Sequence, residues 1–376
     1  MDNICKQSII IPYHKNKELL YMSLKTLRCT VPETVEIVIV ANNRNNDEIN
    51  LSVDIPGISV IKISRDLLYS EAANIGVGEA KGKIVTLCDQ DLFYETGWYE
   101  NLLRLFLSSD DIGAVGAKLL NPKNDRIIDF GIAYSPQTIV HPTRGLLHNH
   151  PWTGMSRQVS SACGAILMTE KETYFRCGGM DKTMPYICCD CDFGIQLLKL
   201  GKQVWVAADS IVYHIGSSSS LNTKISTYSY MRGDSKAMFY AKDYQDIPFD
   251  IVQWMRFSLS GFQETHPMAK RYYIYDLSSI SDSAWYIDKI KDTLQIRFYD
   301  IDRINIGQAN PESLQLYNFM PLSMLNIREP IIYFVDSFVS LMDNAIWWKM
   351  RSCKDDIVID IHGNIVSALE ISNRIC

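Results

Sequence analysis

Apolar residues fall in short runs without polar alternation at 8–11 (SIII) and 35–41 (VEIVIVA), and again at 58–64 (ISVIKIS) and 83–89 (KIVTLCD). Runs of this kind suit strands buried on both faces, as in parallel sheets. Between them the period changes: NKELLYMSLKTLRC, SEAANIGVGEAKG (70–82, ending near Gly82) and WYENLLRLFLSS (98–109) repeat their apolar positions at helical spacing. Strand and helix alternate, so the first part of the chain reads as α/β with a mostly parallel sheet.

The stretch 112–180 is richer in turn signals (NPKND, SPQ, HPTRG, HNHPWTG), followed by a strand in SACGAILM and a helix end in YFRCGGMD. CDFGIQLLKLGK (191–202) reads as a helix closed by Gly201, and KQVWVAADSIVYH (202–214) as a strand, a short turn and another strand. A polar stretch from about 217 (SSSSLNTKISTYS) reads as a mobile loop, with a helix around 230–243. Alternation then resumes. YYIYDL, QIRFYDID, PIIYFVDS and DIVIDIH read as strands, and DSAWYIDKIKDTL and SFVSLMDNAIWWKM as helices. The expected organisation is one α/β domain over residues 1–245 and a smaller α/β domain over 246–376.

Composition narrows the partners. The chain has 376 residues, 47% hydrophobic and 21% charged, an ordinary globular balance. A net charge of −6 without a long basic run argues against nucleic acid, whose phosphates need clustered Lys and Arg. No apolar run reaches the roughly 20 residues that span a bilayer. The chain opens MDNICKQSIIIPY without a charged-then-apolar leader, so its ten cysteines are expected as reduced thiols in a cytoplasm. DIVQWMRFSLSGF (250–262) carries aromatics suited to a membrane surface or to packing, and packing is the preferred reading.

The sharpest chemical signal is VTLCDQDLFYETGW (85–98), an apolar strand running into Asp89 and Asp91. Residues two apart share a face of an extended segment, so both carboxylates can address one spot. Buried carboxylates need cations or solvent. In open α/β sheets ligands bind beyond the carboxyl ends of strands, where this pair stands.

Four stretches then occur in order: SIIIPYH (8–14), EAANIGVGEAKGKIVTLCDQDLFYETGW (71–98), ACGAILM with CGGMD (162–181), and CDCDFGIQLLKLGKQVWVAADSIVYHIGS (189–217). Together they resemble the family-two glycosyltransferases, inverting enzymes of the GT-A fold, over roughly residues 5–245. The resemblance implies a Rossmann-like mixed sheet that binds nucleotide-diphospho-sugars. It also implies that Asp91 binds Mn²⁺ or Mg²⁺, that Asp89 meets the ribose or the metal's water, and that His214 completes the metal shell. Asp190 corresponds to the general base, although Cys189 stands where the family usually has Glu. Asp192 starts the following helix, and Gly178, Gly179 and Asp181 shape the acceptor side. Pro12 and Tyr13 are expected to line the base pocket, and Asn74 to sit in the donor site. Where the family commonly has an acid after its second strand, Ala41 or Asn42 occupies that acid's place here; Asn42 or Asn43 is expected to contact the base through its amide, and the base preference is open.

Other clusters carry weaker readings. Cys188 and Cys191 have the spacing of half a zinc site without a second half, so packing thiols are preferred. His141, His148 and His150 lack an established metal spacing and read as an acceptor-facing loop. Asp300 and Asp302 repeat Asp-x-Asp without companion motifs and read as structural. The resulting expectation is a metal-dependent transferase acting on a nucleoside-diphosphate sugar and a glycan or lipid-linked glycan in surface-polysaccharide assembly, at the inner membrane face. The alternative is a non-catalytic nucleotide-sugar- or glycan-binding scaffold.

Overall fold

The structure, a computed structural model, describes residues 7–42, 55, 57–65, 67–136, 139–216, 235–242, 250–266, 268–294, 297–298, 328–338, 351 and 355–374. Contacts divide the chain into two compact units, residues 1–133 with 143–248, and 134–142 with 249–376. Residues 134–142 therefore group with the carboxyl-terminal part, which the sequence pattern did not suggest.

In the first unit, β1 (Gln7–Tyr13), β2 (Glu36–Asn42), β3 (Ile58–Ile63) and β4 (Ile84–Cys88) are parallel neighbours in the order β4-β1-β2-β3. Ile9, Ile10 and Ile11, and Ile37 through Val40, are almost wholly buried, as β-branched runs in a sheet covered on both faces must be. The covering helices are α1 (Lys17–Thr30), α2 (Tyr69–Glu79) and α3 (Trp98–Phe106). Asn16 caps α1 by accepting from Leu19 N at 3.2 Å, and Leu20, Ser23, Leu24 and Leu27 form its buried stripe. Helix α2 lies so close to the sheet that only glycine fits at 76. A Cβ there would stand 2.3 Å from Ile10 Cγ2 and 2.9 Å from Val40 Cγ2.

Beyond β4 the sheet stops being purely parallel. β5 (Leu92–Tyr94), β6 (Ile112–Leu120), β7 (Ile127–Asp129), β8 (Ala133–Tyr134), β9 (Ile139–Val140), β10 (Arg157–Val159), β11 (Ile166–Glu170) and β12 (Gln203–His214) follow in the chain, with α4 (Lys171–Arg176) and α5 (Cys189–Lys199) between β11 and β12. β11 inserts antiparallel between β4 and β6, and β12 runs parallel to β6, giving the path β10-β12-β6-β11-β4-β1-β2-β3. The segment expected as two strands and a turn is one twelve-residue strand, β12, with a register shift between Ala207 and Ile211. Its turn-like residues are bonded in place: Ala208 N donates to Ser156 Oγ, Asp209 O accepts from Asn101, and Ser210 Oγ donates to Trp98 O. With those polar groups satisfied, the chain bulges instead of turning. β8 and β9 pair as a two-stranded ribbon. Residues 235–241 form a helix, α6.

The second unit has α7 (Ile251–Thr265), β13 (Arg271–Asp276), α8 (Ser283–Leu294), β14 (Arg297–Phe298), β15 (Ile331–Val335), β16 (Ile357–Asp360), β17 (Ile365–Ser367) and α9 (Ala368–Arg374). Its sheet runs β14-β13-β15-β16-β17, parallel except for β17, whose turn back from β16 the sequence pattern did not show. Ile251, Trp254, Met255, Leu259 and Phe262 of α7 are buried, so Trp254 and Phe262 are used in packing, whereas Phe257 is exposed. The serine-rich stretch from 217, the Asp300–Asp302 pair and most of the helix expected after 337 lie outside the described residues. Among the described residues no helix is long and apolar enough to cross a membrane.

Replacing Gly76 by Ala must push α2 off Ile10 and Val40. Gly76→Ala is expected to cost about 1–3 kcal/mol, read as a lower midpoint in urea unfolding. Gly78→Ala on the same helix meets open space. It is expected to be neutral or stabilising by up to about 1 kcal/mol.

Candidate active site

The acids after β4 are placed by backbone pairing. Asp89 N donates to Ala165 O at 2.9 Å, which carries the β4–β11 ladder one step past Cys88. β5 then pairs antiparallel with the end of β12, setting His214 opposite Leu92, the residue after Asp91. Ile215 N closes the arrangement on Asp91 O at 3.2 Å. His214 Nε2 consequently stands 3.3 Å from Asp91 Oδ1 and 3.6 Å from Asp89 Oδ2. The residue between the acids, Gln90, turns the other way. Its Oε1 accepts from His14 N at 2.9 Å and its Nε2 donates to Lys15 O at 2.6 Å, tying the end of β1 to the acids.

Ligand atoms of Asp89, Asp91 and His214 all lie within 4.8 Å of one another. Two carboxylates and one imidazole give two oxygens and a nitrogen, a donor set that suits Mn²⁺ and, less closely, Mg²⁺. The electrostatics also ask for a cation. Asp91 is 4% exposed. Burial, with Asp91 and Asp190 adding repulsion against the pull of His214, pushes the Asp89 carboxyl up to about 6. Burial pulls the His214 imidazole down, but the bond to Asp91 and the charges of Asp89, Asp91 and Asp129 outweigh it and raise it overall. Its Nδ1 is buried without a hydrogen-bond partner, so the carboxylates alone orient the ring. The residues present fit a divalent ion.

Asp190 approaches from another segment. Cys188, in a left-handed conformation (φ 67°), caps α5 and puts Asp190 and Asp192 in its first turn. Asp190 Oδ2 accepts from Gly164 N at 2.8 Å, Oδ1 accepts from Cys191 N at 2.9 Å, and its carbonyl accepts from Ser161 Oγ at 2.8 Å. Tyr69 OH donates to Gly164 O at 2.8 Å. Asp89 and Asp190 thus sit on the adjacent residues Gly164 and Ala165, and Asp190 contributes to the raised Asp89 carboxyl. Gly164 belongs to the ACGAILM stretch, whose pattern gives it no role of its own. Tyr69, the first residue of α2, carries no motif, and only the folded contact exposes it.

The remaining expected residues fall in distinct places. Gly178 and Gly179 take positive φ (86° and 71°), and a Cβ on Gly179 would stand 2.4 Å from Asn74 Oδ1. Asn74 itself is occupied by this turn: Oδ1 accepts from Tyr174 OH and Met180 N, and Nδ2 donates to Met180 O. Asp181 accepts from Thr183 N and Oγ1, and both Asp181 and Asp192 accept from Lys242. Lys242 holds Asp181 low despite its burial. Pro12 is half-buried at the end of β1, whereas Tyr13 is 4% exposed and part of the core. Asn42 ends β2 opposite Ile63, and Asn43 lies outside the described residues. Cys188, Cys189 and Cys191 are buried, and among the described residues the metal-competent group is the Asp89–Asp91–His214 set. His150 Nδ1 accepts from Trp152 N, which uses that ring in its own loop.

The mixed sheet thus carries two acids just past the carboxyl end of β4 and a histidine at the end of β12, the layout expected of a GT-A domain. Residues 8–154 match the profile of Glycosyl transferase family 2. No curated protein sequence matches the chain. Similar solved structures include GalNAc-T7 with UDP, GalNAc and Mn²⁺ (17% identity, TM-score 0.49, covering 70% of this chain and 55% of that one). A second is the mannosyltransferase PcManGT from Pyrobaculum calidifontis with GDP-Man and Mn²⁺ (14%, 0.46, 65% and 65%). A third is S. aureus TarS 1–349 (11%, 0.40, 66% and 78%). The chain therefore spans 55% and 65% of the length of the first two. The likeness to that family rests on the match over residues 8–154.

Asp89 and His214 both bind a proton more tightly folded than unfolded. Their contribution to stability is complete below the ordinary values of 3.8 and 6.5, and is lost as pH rises through the folded values, about 6 for Asp89 and above 6.5 for His214. Mn²⁺ competes for the same atoms. The Mn²⁺-induced rise in Tm is therefore expected to be larger at pH 8 than at pH 5, approaching about 2.7 kcal/mol at a hundredfold excess over Kd. Scanning fluorimetry checks this. Equal shifts at both pH values, or a full shift in Asp91→Asn, would contradict the assignment.

Proposed function

We propose that the chain is a metal-dependent inverting glycosyltransferase of the hexosyltransferase type. It would move a sugar from a nucleoside-diphosphate donor to a hydroxyl of a growing glycan or lipid-linked glycan. The observation that carries this reading is the attachment of two acid sets to adjacent residues: Asp89 through Ala165 O, with Asp91 and His214 beside it, and Asp190 through Gly164 N. Inversion needs those two groups to be separate, because the acceptor oxygen attacks the anomeric carbon opposite the bond to phosphate that breaks.

In this reading Asp190 accepts the proton of the acceptor hydroxyl as that oxygen bonds to carbon. The bonds from Gly164 N and Cys191 N fix its rotamer, so the carboxylate is aimed before the acceptor arrives. Asp91, Asp89 and His214 are the residues that would hold Mn²⁺ or Mg²⁺. Such an ion, when bound, supplies positive charge against that gathering on the departing diphosphate. Pro12 and Asn42 end β1 and β2 at the carboxyl edge, where the nucleotide would lie, and Gln90 holds His14 and Lys15 next to the acids. Asn74 is read as a support of the Gly178–Asp181 turn on the acceptor side. The wider setting consistent with this chemistry is bacterial surface-polysaccharide assembly in the cytoplasm at the inner membrane face.

The test is a panel of nucleoside-diphosphate sugars with Mn²⁺ and glycan acceptors. Asp190→Asn is expected to lower kcat by about 10²–10⁴. In calorimetry it should keep its affinity for nucleoside diphosphate with Mn²⁺, whereas Asp91→Asn should lose that affinity. Full turnover in both variants would refute the roles. Binding by the wild type without turnover across the panel would favour a non-catalytic scaffold instead.

A further inference from the structure

Lys242 follows α6 and reaches two other segments of the first unit. Its ammonium donates to Asp181 Oδ2, and to Asp192 Oδ1 at 2.8 Å. Asp181 ends the Gly178–Gly179–Met180 turn, and its other oxygen is taken by Thr183 N and Thr183 Oγ1, each at 2.8 Å. Asp192 lies two residues beyond Asp190 in the first turn of α5. Its side chain is only 4% exposed, and it also accepts from Gln196 Nε2 at 3.2 Å. One cation therefore joins the glycine turn to the helix start that presents Asp190.

The opposite flank of the turn is held by Asn74 of α2, which bonds both polar backbone atoms of Met180. The turn is thus gripped from two sides, by an amide on one helix and by an ammonium following another. Both oxygens of Asp181 are engaged by these contacts, three of the about four bonds a carboxylate can accept. What the turn offers a ligand is its backbone: nothing lies within 4 Å of where a Cβ on Gly178 would stand. A backbone surface of this kind is useful only if its distance from the base is constant.

We propose that Lys242 is a positioning residue: by clamping Asp181 to Asp192 it fixes the acceptor-side turn against the helix bearing Asp190, and so sets acceptor affinity and not donor affinity. This rests on the glycosyltransferase reading for its functional half. The donor side is placed independently, through Ala165 O and the β5–β12 pairing, neither of which Lys242 touches. A bare ammonium between two carboxylates is replaceable by a guanidinium, which keeps the charge and can bridge both, but not by a thioether of similar length.

The test compares the full chain with Lys242→Met, Lys242→Arg and Asp181→Asn. In hydrogen exchange, the amides of residues 178–184 are expected to exchange at least about tenfold faster in Lys242→Met, and close to wild type in Lys242→Arg, with 85–94 unchanged. Asp181→Asn breaks the same link without stranding Asp192, so it must reproduce the faster exchange even if Lys242→Met folds poorly. In transfer assays Lys242→Met should raise the acceptor KM about tenfold or more, with affinity for nucleoside diphosphate and Mn²⁺ within about twofold of wild type. Unchanged exchange at 178–184 in Asp181→Asn would overturn the clamp. Loss of diphosphate affinity in parallel with transfer would overturn its acceptor-side role. If the wild type turns over no sugar, the glycosyltransferase reading fails, while the exchange comparison still decides whether Lys242 fixes the turn.

Discussion

Three consecutive peptide units, around Gly164 and Ala165, hold the site together. Ala165 O accepts from Asp89 N, Gly164 N donates to Asp190 Oδ2, and Gly164 O accepts from Tyr69 OH. These units lead into β11, the strand that runs antiparallel between β4 and β6. Reversing one strand in a parallel sheet brings its amino end to the edge where its neighbours have their carboxyl ends. That is how a loop before β11 meets the acids after β4. A glycine at 164 leaves room for the closure, since a Cβ there would crowd Asp190 Cβ at 3.2 Å.

The same geometry concentrates negative charge. Asp89, Asp91 and Asp129 act together on one imidazole, and Asp190 adds to the field at Asp89. A lone histidine proton offsets one carboxylate, and burial, reinforced by the remaining negative charge of Asp91 and Asp190, raises Asp89 above the ordinary carboxylate range. A divalent ion relieves that excess more completely than a proton can, because it brings two charges to the same few ångströms. Metal and proton are therefore alternatives for one electrostatic deficit, created by β5 pairing back onto β12 and carrying His214 beside Asp91.

The parallel half of the sheet was legible in the sequence because its strands are buried on both faces. Ile9–Ile11 and Ile37–Val40 announce themselves as unbroken apolar runs. Asp89, Asp91 and His214 were legible as a motif order, and the fold brings their ligand atoms together. What the pattern hid was set by long-range bonds. The Ala208–Ser210 bulge looks like a turn until Ser156, Asn101 and Trp98 supply partners. Residues 134–142 look like part of the first domain until Tyr134 N meets Asp250 and Ser135 Oγ meets Asp282. Asn74, expected at the donor, is consumed by Met180 and Tyr174, a contact across 106 and 100 residues that no local spacing encodes. Tyr13, expected in a pocket, packs into the core because alternation along β1 turns its ring inward.

A buried carboxylate does not by itself mark a site, and the second unit shows why. Asp356 is wholly buried, yet Ile331 N, Tyr333 OH and both Nε and Nη2 of Arg351 donate to it. Its charge is matched by a guanidinium and its oxygens by hydrogen-bond donors, so it acts as a closed staple between β15 and the start of β16. Asp89 and Asp91 differ in kind. Their shared partner is a histidine whose own charge depends on them, and Asp89 keeps 28% of its side chain open. A staple saturates its charge inside the protein. A site leaves a deficit facing outward, and the Asp89–Asp91–His214 group has that deficit because one imidazole is set against two carboxylates.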